Sequence, residues 1–250
     1  MPTLTINGYL HNYEDVGDGI PLVYMAGTRF DSARDKASSM REHAQGFRLI
    51  IPDPRGLGGS VHTSEVQPQD WVEDLGALLD ALGIAAIHLA AETLGTRIVT
   101  RFAATYPERV RSLILNGAIA YSSPTGDEER RRNANPAAIP EDRRQSLEYH
   151  QGTDWARVNE FYLAMHGRPE FHEYYDLRTL APGITTPTLL MRGDVDDPVH
   201  PVMHSAELHR LFPRSWLAIF PNTEFNALRG RPDEAWDLIR RFIAEQEASA

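Results

Sequence analysis

Short apolar runs separated by patterns of helical period recur along most of this chain, and that alternation leaves few folds open. Leu22 to Met25, Phe47 to Ile51, Ala86 to Ala90, Val110 to Leu115, Thr188 to Met191 and Trp216 to Phe220 each read as a buried strand. Helical patterns lie between them: about Ser32 to Ala44, Trp71 to Leu82 closed by Gly83, Gly95 to Tyr106 closed by Pro107, Val202 to Leu211, and Glu234 to Glu245. Strands joined by helices pair in parallel, so the expected class is α/β, a mostly parallel sheet with helices on both faces. The start departs from this. Thr3 to Ile6 and Tyr9 to Tyr13 alternate apolar and polar residues about Asn7-Gly8, which predicts a hairpin at the sheet edge.

The rhythm breaks from Tyr121 to about Gly183. That stretch opens with the charged run Asp127 to Arg132 and later carries Trp155, Phe161, Tyr162, Phe171, Tyr174 and Tyr175. It reads as a helical insertion, with residues 1–120 and 184–250 forming one core. A chain of 250 residues with 42% hydrophobic side chains can bury such a core. Its formal net charge of -10 repels phosphates and anionic lipid, so neither nucleic acid nor a membrane is an expected partner. The absence of cysteine removes disulfides, thiolate nucleophiles and Cys-ligated metals. With no basic leader and apolar h-region in view, the expected compartment is the cytoplasm.

Several landmarks fall in register with one family. Ile51-Pro52-Asp53-Pro54-Arg55-Gly56-Leu57-Gly58-Gly59-Ser60 is similar to the strand-end loop Pro-Asp-x-Arg-Gly-x-Gly-x-Ser of the α/β-hydrolase superfamily, with one extra Gly. His88 to Thr96 sits where that family turns a strand sharply into a helix. Phe102 to Val110 resembles the helix and strand that follow, and Gly193-Asp194-Val195-Asp196-Asp197-Pro198 resembles the strand end that supplies the acid of a Ser-His-Asp triad. The resemblance covers nearly the whole chain. It implies an α/β-hydrolase fold, with Tyr121 to Gly183 as a cap over the site.

The same resemblance shows what has changed. The five elbow positions, usually Gly-x-Ser-x-Gly, read Ala91-Glu92-Thr93-Leu94-Gly95. Thr93 replaces the nucleophilic serine, and its extra methyl stiffens χ1 and crowds the attack path. At the end of the first core strand, Ala26-Gly27-Thr28 stands for the usual His-Gly. The backbone amides of Thr28 and Leu94 are the expected oxyanion-hole donors, with Ala26 beside the substrate. The acid falls on Asp196 or Asp197 according to the end from which the loop is counted, and Asp194 reads as a turn residue. The family's base, in a run such as Pro-Asn-x-Gly-His, is missing. Pro221-Asn222-Thr223-Glu224-Phe225-Asn226 places Phe225 at the histidine, and a one-residue slip gives only Asn226.

Without an imidazole, a hydroxyl nucleophile has no proton acceptor and the leaving group no donor. Candidates for a replacement are Glu92, Glu224, His200, His150, His166 and His172, each of which alone is more often a solvated or structural side chain. His166 and His172 have no metal-ligand spacing. These residues imply a cofactor-free, metal-free enzyme of small-molecule metabolism, turned from ester hydrolysis to a cyclisation, isomerisation, lyase or dehydration step. Glu92, Thr93 and Asp196 or Asp197 are the catalytic candidates, and Phe225, Ala26 and His200 the substrate contacts. The ligand expected from the Phe225 wall is largely apolar, and a homodimer is left open. Two other readings stand beside this one: a hydrolase using Thr93 with a relocated base, and a non-catalytic ligand binder.

Overall fold

The computed structural model describes residues 2–26, 28–132 and 135–248. Its strands are β1 (Thr3–Ile6), β2 (Tyr9–Val16), β3 (Ile20–Met25), β4 (Phe47–Pro52), β5 (Ile87–Glu92), β6 (Val110–Asn116), β7 (Thr188–Gly193) and β8 (Ser215–Phe220). They form one sheet in the order β1-β2-β4-β3-β5-β6-β7-β8. The pairs β1–β2 and β2–β4 are antiparallel, and the rest are parallel. Asn7 and Gly8 turn the β1–β2 hairpin with φ of 50° and 83°. That is the left-handed pair which such two-residue turns demand, and which Asn-Gly tolerates best.

Helices α1 (Ala33–Met40), α2 (Asp70–Ala81) and α3 (Leu94–Thr105) follow β3, β4 and β5. Between β6 and β7 come α4 (Pro124–Arg132), α5 (Glu141–Gln151), α6 (Trp155–His166), α7 (Pro169–Tyr174) and α8 (Leu177–Leu180). After β7 and β8 come α9 (Val202–Leu211), α10 (Ala227–Gly230) and α11 (Pro232–Glu247). The helix read as Ser32 to Ala44 is shorter than its apolar pattern, because the chain leaves α1 at Met40 and turns through Gly46 (φ 85°) to enter β4.

Strand side chains alternate between two apolar layers, as a period of two requires. Val23, Met25, Ile50, Leu89 and Ala91 pack with Leu75, Leu78 and Leu79 of α2 and Ile98, Val99 and Phe102 of α3. Leu22, Tyr24, Leu49, Ile51 and Ala90 pack on the other face with Ala33, Ala37 and Met40 of α1 and Trp236, Ile239, Phe242 and Ile243 of α11. Both faces of the central strands are therefore covered, which is why those strands read as unbroken apolar runs. The order β4-β3-β5 reverses direction at β3, and ligands of open α/β sheets bind beyond the strand ends at such a reversal. No helix among the described residues is long and apolar enough to cross a membrane.

Candidate active site

A single residue, Thr93, separates β5 from α3. Its backbone takes φ 48° and ψ −120°. For a β-branched residue this is an outlier that costs on the order of 1–3 kcal/mol and persists only where the surroundings enforce it. The enforcement is visible two residues on. A Cβ at Gly95 would stand 2.2 Å from the Met25 carbonyl oxygen, so the first turn of α3 is pressed against the end of β3. Thr93 is 6% exposed, and its Oγ1 has no hydrogen-bond partner among the described residues.

Met25 pairs with Ala91 across the β3–β5 ladder. Thr28 and Leu94 each lie three residues beyond that pair, and both line the cavity that Thr93 borders. Thr28 Oγ1 donates to Asp31 (3.0 Å) and accepts from the amide of Phe30 (3.1 Å), which fixes the turn. Gly27 lies outside the described residues. Ala26 is buried but does not line the cavity.

The cavity has a volume of about 1010 Å³. It is bordered by Thr28, Thr93 and Leu94 at the strand ends, by Arg130, Tyr162 and His166 from α4 and α6, and by Asp197, His200 and Phe225 from the loops after β7 and β8. Those two loops are brought together by pairing of Gly193 with Phe220 at the ends of the two strands. A Cβ at Gly193 would fall 1.9 Å from the carbonyl oxygen of Thr223, which explains the glycine.

The two candidate aspartates of the β7 loop have different partners. Asp196 Oδ1 accepts from the amide of Val202 at 2.5 Å and so holds the first residue of α9. Asp197 Oδ1 accepts from the amides of Val199 and His200, both at 2.8 Å. His200 Nδ1 lies 3.2 Å from each oxygen of the same carboxylate. Burial would push the Asp197 carboxyl up, but the hydrogen bond and charge of His200 and the two amides outweigh it and hold the carboxyl below its ordinary value. An imidazole that gives its Nδ1 proton to a carboxylate keeps a lone pair on Nε2. Here that Nε2 is buried without a partner. The His200 ring stacks on Phe225 with centroids 3.8 Å apart and planes 9° from parallel. No local sequence signal points to the support beneath. Arg192, fully buried, donates to the carbonyl oxygens of Gly193 (2.5 Å), Val195 (2.8 Å) and His200 (2.6 Å), and so ties both ends of this loop together.

Glu92 has a different setting. Its Oε2 accepts from Tyr24 Oη (2.8 Å) and from Asn226 Nδ2 (2.6 Å), and its Oε1 pairs with the ammonium of Lys36. Lys36 also pairs with Asp31 at 3.0 Å. Burial alone would lower the Lys36 ammonium, but the charges of Glu92 and Asp31 raise it above its ordinary value. Asn226 Oδ1 in turn accepts from Asn116 Nδ2 (2.7 Å) and the amide of Arg229 (3.0 Å). The Glu92 carboxylate is thus committed to three donors and ties α1 and the β8 loop to the elbow. Of the other bases weighed, His150, His166 and Glu224 also line the cavity, and His172 does not.

The family model of the alpha/beta hydrolase fold matches residues 30–173, more than half of the chain. The protein belongs to the alpha/beta hydrolase family. A 2-hydroxymuconate semialdehyde hydrolase of Pseudomonas putida is 27% identical over 96% of this chain and 93% of its own length. The mouse serine hydrolase BPHL is 26% identical over 96% of this chain and 85% of its own. Among solved structures, the meta-cleavage product hydrolase of Pseudomonas fluorescens IP01 superposes with a TM-score of 0.79 at 21% identity, covering 98% of both chains. The alpha/beta hydrolase MGS-M2 from a deep-sea metagenome superposes with a TM-score of 0.81 at 22% identity, covering 97% of both. At these identities the two structures speak for the fold alone.

Proposed function

We propose that this member of the family is a hydrolase of small carbonyl compounds in which Thr93 is the nucleophile and His200, held by Asp197, is the base. One observation carries the reading. A strained, unpartnered hydroxyl and an unpartnered imidazole nitrogen oriented by a carboxylate belong to residues that border one cavity. Buried polar atoms without partners are uncommon, and a catalytic role is one of the few explanations for two of them on one cavity. The non-hydrolytic reading drawn from the sequence rested on the absence of a histidine at Phe225; the setting of His200 favours the alternative of a relocated base. The hydrolase names of the full-length relatives agree with the choice.

The proposed reaction uses each group once per half-cycle. The Thr93 hydroxyl attacks the substrate carbonyl while its proton passes to His200 Nε2. The amides of Leu94 and Thr28 take the charge that develops on the carbonyl oxygen. As the tetrahedral adduct collapses, His200 returns its proton to the leaving group, and an acyl ester remains on Thr93. A water then loses a proton to His200 and attacks the ester, which releases the acid and restores the hydroxyl. Asp197 fixes the tautomer and steadies the imidazolium throughout. Glu92, already bound to three donors, positions the elbow and takes no proton.

Trapping tests this directly. Incubation with an activated aryl ester followed by quenching and peptide mass spectrometry should find the acyl group on Thr93. The adduct should be absent in the His200→Gln protein. Ester turnover that survives Thr93→Ala unchanged would overturn the assignment.

A further inference from the structure

Of the arginines that border the Thr93 cavity, three are buried and come from separate elements: Arg29 from the turn after β3, Arg97 from α3 and Arg130 from α4. Their exposures are 4%, 1% and 8%, so all three guanidinium groups are withdrawn from water. Buried arginines are ordinarily paired with acids, because an uncompensated buried charge costs several kcal/mol. Arg97 does not follow that rule. Its Nε donates to the Ile119 carbonyl oxygen at 3.2 Å and both terminal nitrogens reach Ser122 Oγ at 3.3 Å, with no carboxylate bonded to it among the described residues. Arg130 pairs with Asp127, yet its Nε is buried without a partner. The Arg29 guanidinium lies over the rings of Phe30 and Tyr162, 4.7 and 4.8 Å from their centroids.

These charges sense one another. Burial first, and then the charge of Arg130, brings Arg97 down to about 10. His166 stands among them with both ring nitrogens buried and unpartnered, and burial followed by the charges of Arg130, Arg97 and Arg29 drives it well below its ordinary value. A neutral imidazole there offers one more N–H donor. Acids such as Asp31, Glu129 and Asp197 border other parts of the same cavity, but the Arg97 guanidinium bonds to no carboxylate among the described residues, and beside it the Arg130 Nε and both His166 nitrogens are buried without a partner, so this corner is set to receive an anion.

We propose that Arg29, Arg97 and Arg130, with His166, form a subsite that binds a carboxylate of the substrate while its carbonyl lies at Thr93. The proposal rests on the hydrolase reading and deepens it by naming its substrate class: small esters that carry a free carboxylate away from the reacting carbonyl. A planar guanidinium fork matches the two oxygens of a carboxylate. The site also replaces the largely apolar ligand expected from Phe225 alone with an amphiphilic one. One end meets the aromatic stack of Phe225 and His200, and the other meets the arginines.

The test separates this subsite from the chemistry. Calorimetric titration of the intact protein with succinate, its neutral diamide and inorganic phosphate should show saturable binding of succinate and none of the diamide. Arg97→Met and Arg29→Met should each weaken succinate binding about 10-fold or more. If Arg97→Met does not fold, Arg29→Met and the wild-type titrations decide the point. Phosphate binding as tightly as succinate would overturn the carboxylate assignment. In turnover, an aryl hemisuccinate should be preferred over the matching aryl butyrate by about 100-fold in kcat/KM, and the ratio should fall towards one in the arginine variants. Turnover of both esters without preference, together with no succinate binding, would sink the subsite and leave the hydrolase reading standing. Succinate binding with no turnover of either ester would do the reverse.

Discussion

The imidazole of His200 lies flat against the ring of Phe225, 3.8 Å between centroids, while its Nδ1 sits 3.2 Å from both oxygens of Asp197. The aromatic residue at the position where the family resemblance places a histidine therefore packs against the base proposed above. A ring clamped on one face and hydrogen-bonded at one edge has little rotamer freedom left, which is what a base must have to be in place when the substrate arrives.

Removal of the imidazole and removal of its orienting carboxylate should each be severe. His200→Gln and Asp197→Asn are expected to lower kcat/KM for a carboxylated aryl ester by about 10³-fold or more. The double variant should be little worse than His200→Gln alone, because such groups act as a unit. Steady-state kinetics on the four proteins check this, and losses that multiply would separate the two residues.

The elbow sets stability against activity. Thr93→Gly removes a β-branched side chain from φ 48° and should raise stability by about 1 kcal/mol after the entropy cost of glycine, visible as a Tm about 2–4 °C higher. The same protein should be inactive. Thr93→Ser keeps the strain and removes the methyl, so acylation should quicken by about 10-fold. Calorimetry with an esterase assay tests both, and a lower Tm for Thr93→Gly would count against strain at this turn.

Glu92 and Lys36 form a buried pair whose halves depend on each other. Lys36→Met leaves the Glu92 carboxylate without its cation and should cost about 3–5 kcal/mol in urea denaturation. The double replacement Lys36→Met with Glu92→Gln should recover at least half of that loss. A double variant no better than the single would mean that Asp31, Tyr24 and Asn226 carry the anchoring without the pair.

Acid should loosen the fold through a buried histidine. Burial, then the charges of Arg97, His200, Arg178 and Arg192, lowers His204 from 6.5 to about 4. The unfolded chain takes up its proton near the higher value, and the folded one only near the lower. The stability tied to keeping this ring neutral is thus complete above about pH 6.5 and drains away towards pH 4. His166, lowered by burial and by its neighbouring arginines, adds to the same trend. Allowing for screening, His204 should account for about 1–2 kcal/mol over that window. His204→Gln should show a flatter fall of Tm between pH 7 and 4.5 than the wild type, and parallel curves would exclude this origin.

The order of strands and helices was legible because burial on two faces writes itself into sequence as unbroken apolar runs, and Asn7-Gly8 because few residues accept its backbone. The elbow was legible too. Gly95 is required by the Met25 carbonyl, and a single residue is left between strand and helix. The site's charge was not. Arg29 and Arg130 lie 68 and 33 residues from Arg97 in sequence, and nothing local distinguishes the three from solvated arginines. Only the packing of α3 and α4 around the cavity gathers them. The role of Asp197 could not be separated from that of Asp196 by counting, since the choice depends on which carboxylate turns back to the amide of its own loop and which one reaches α9.

In the usual arrangement of this family the resemblance places acid and base on separate loops, after different strands. Here Asp197 and His200 stand three positions apart on one loop that Arg192 closes from beneath. The proposed proton relay is consequently a cassette. An insertion or deletion in the loop after β8 would disturb the Phe225 stack and the shape of the cavity, yet leave the carboxylate and the imidazole paired. The segment from Arg192 to His200 could equally be transplanted whole into a relative that has lost its histidine.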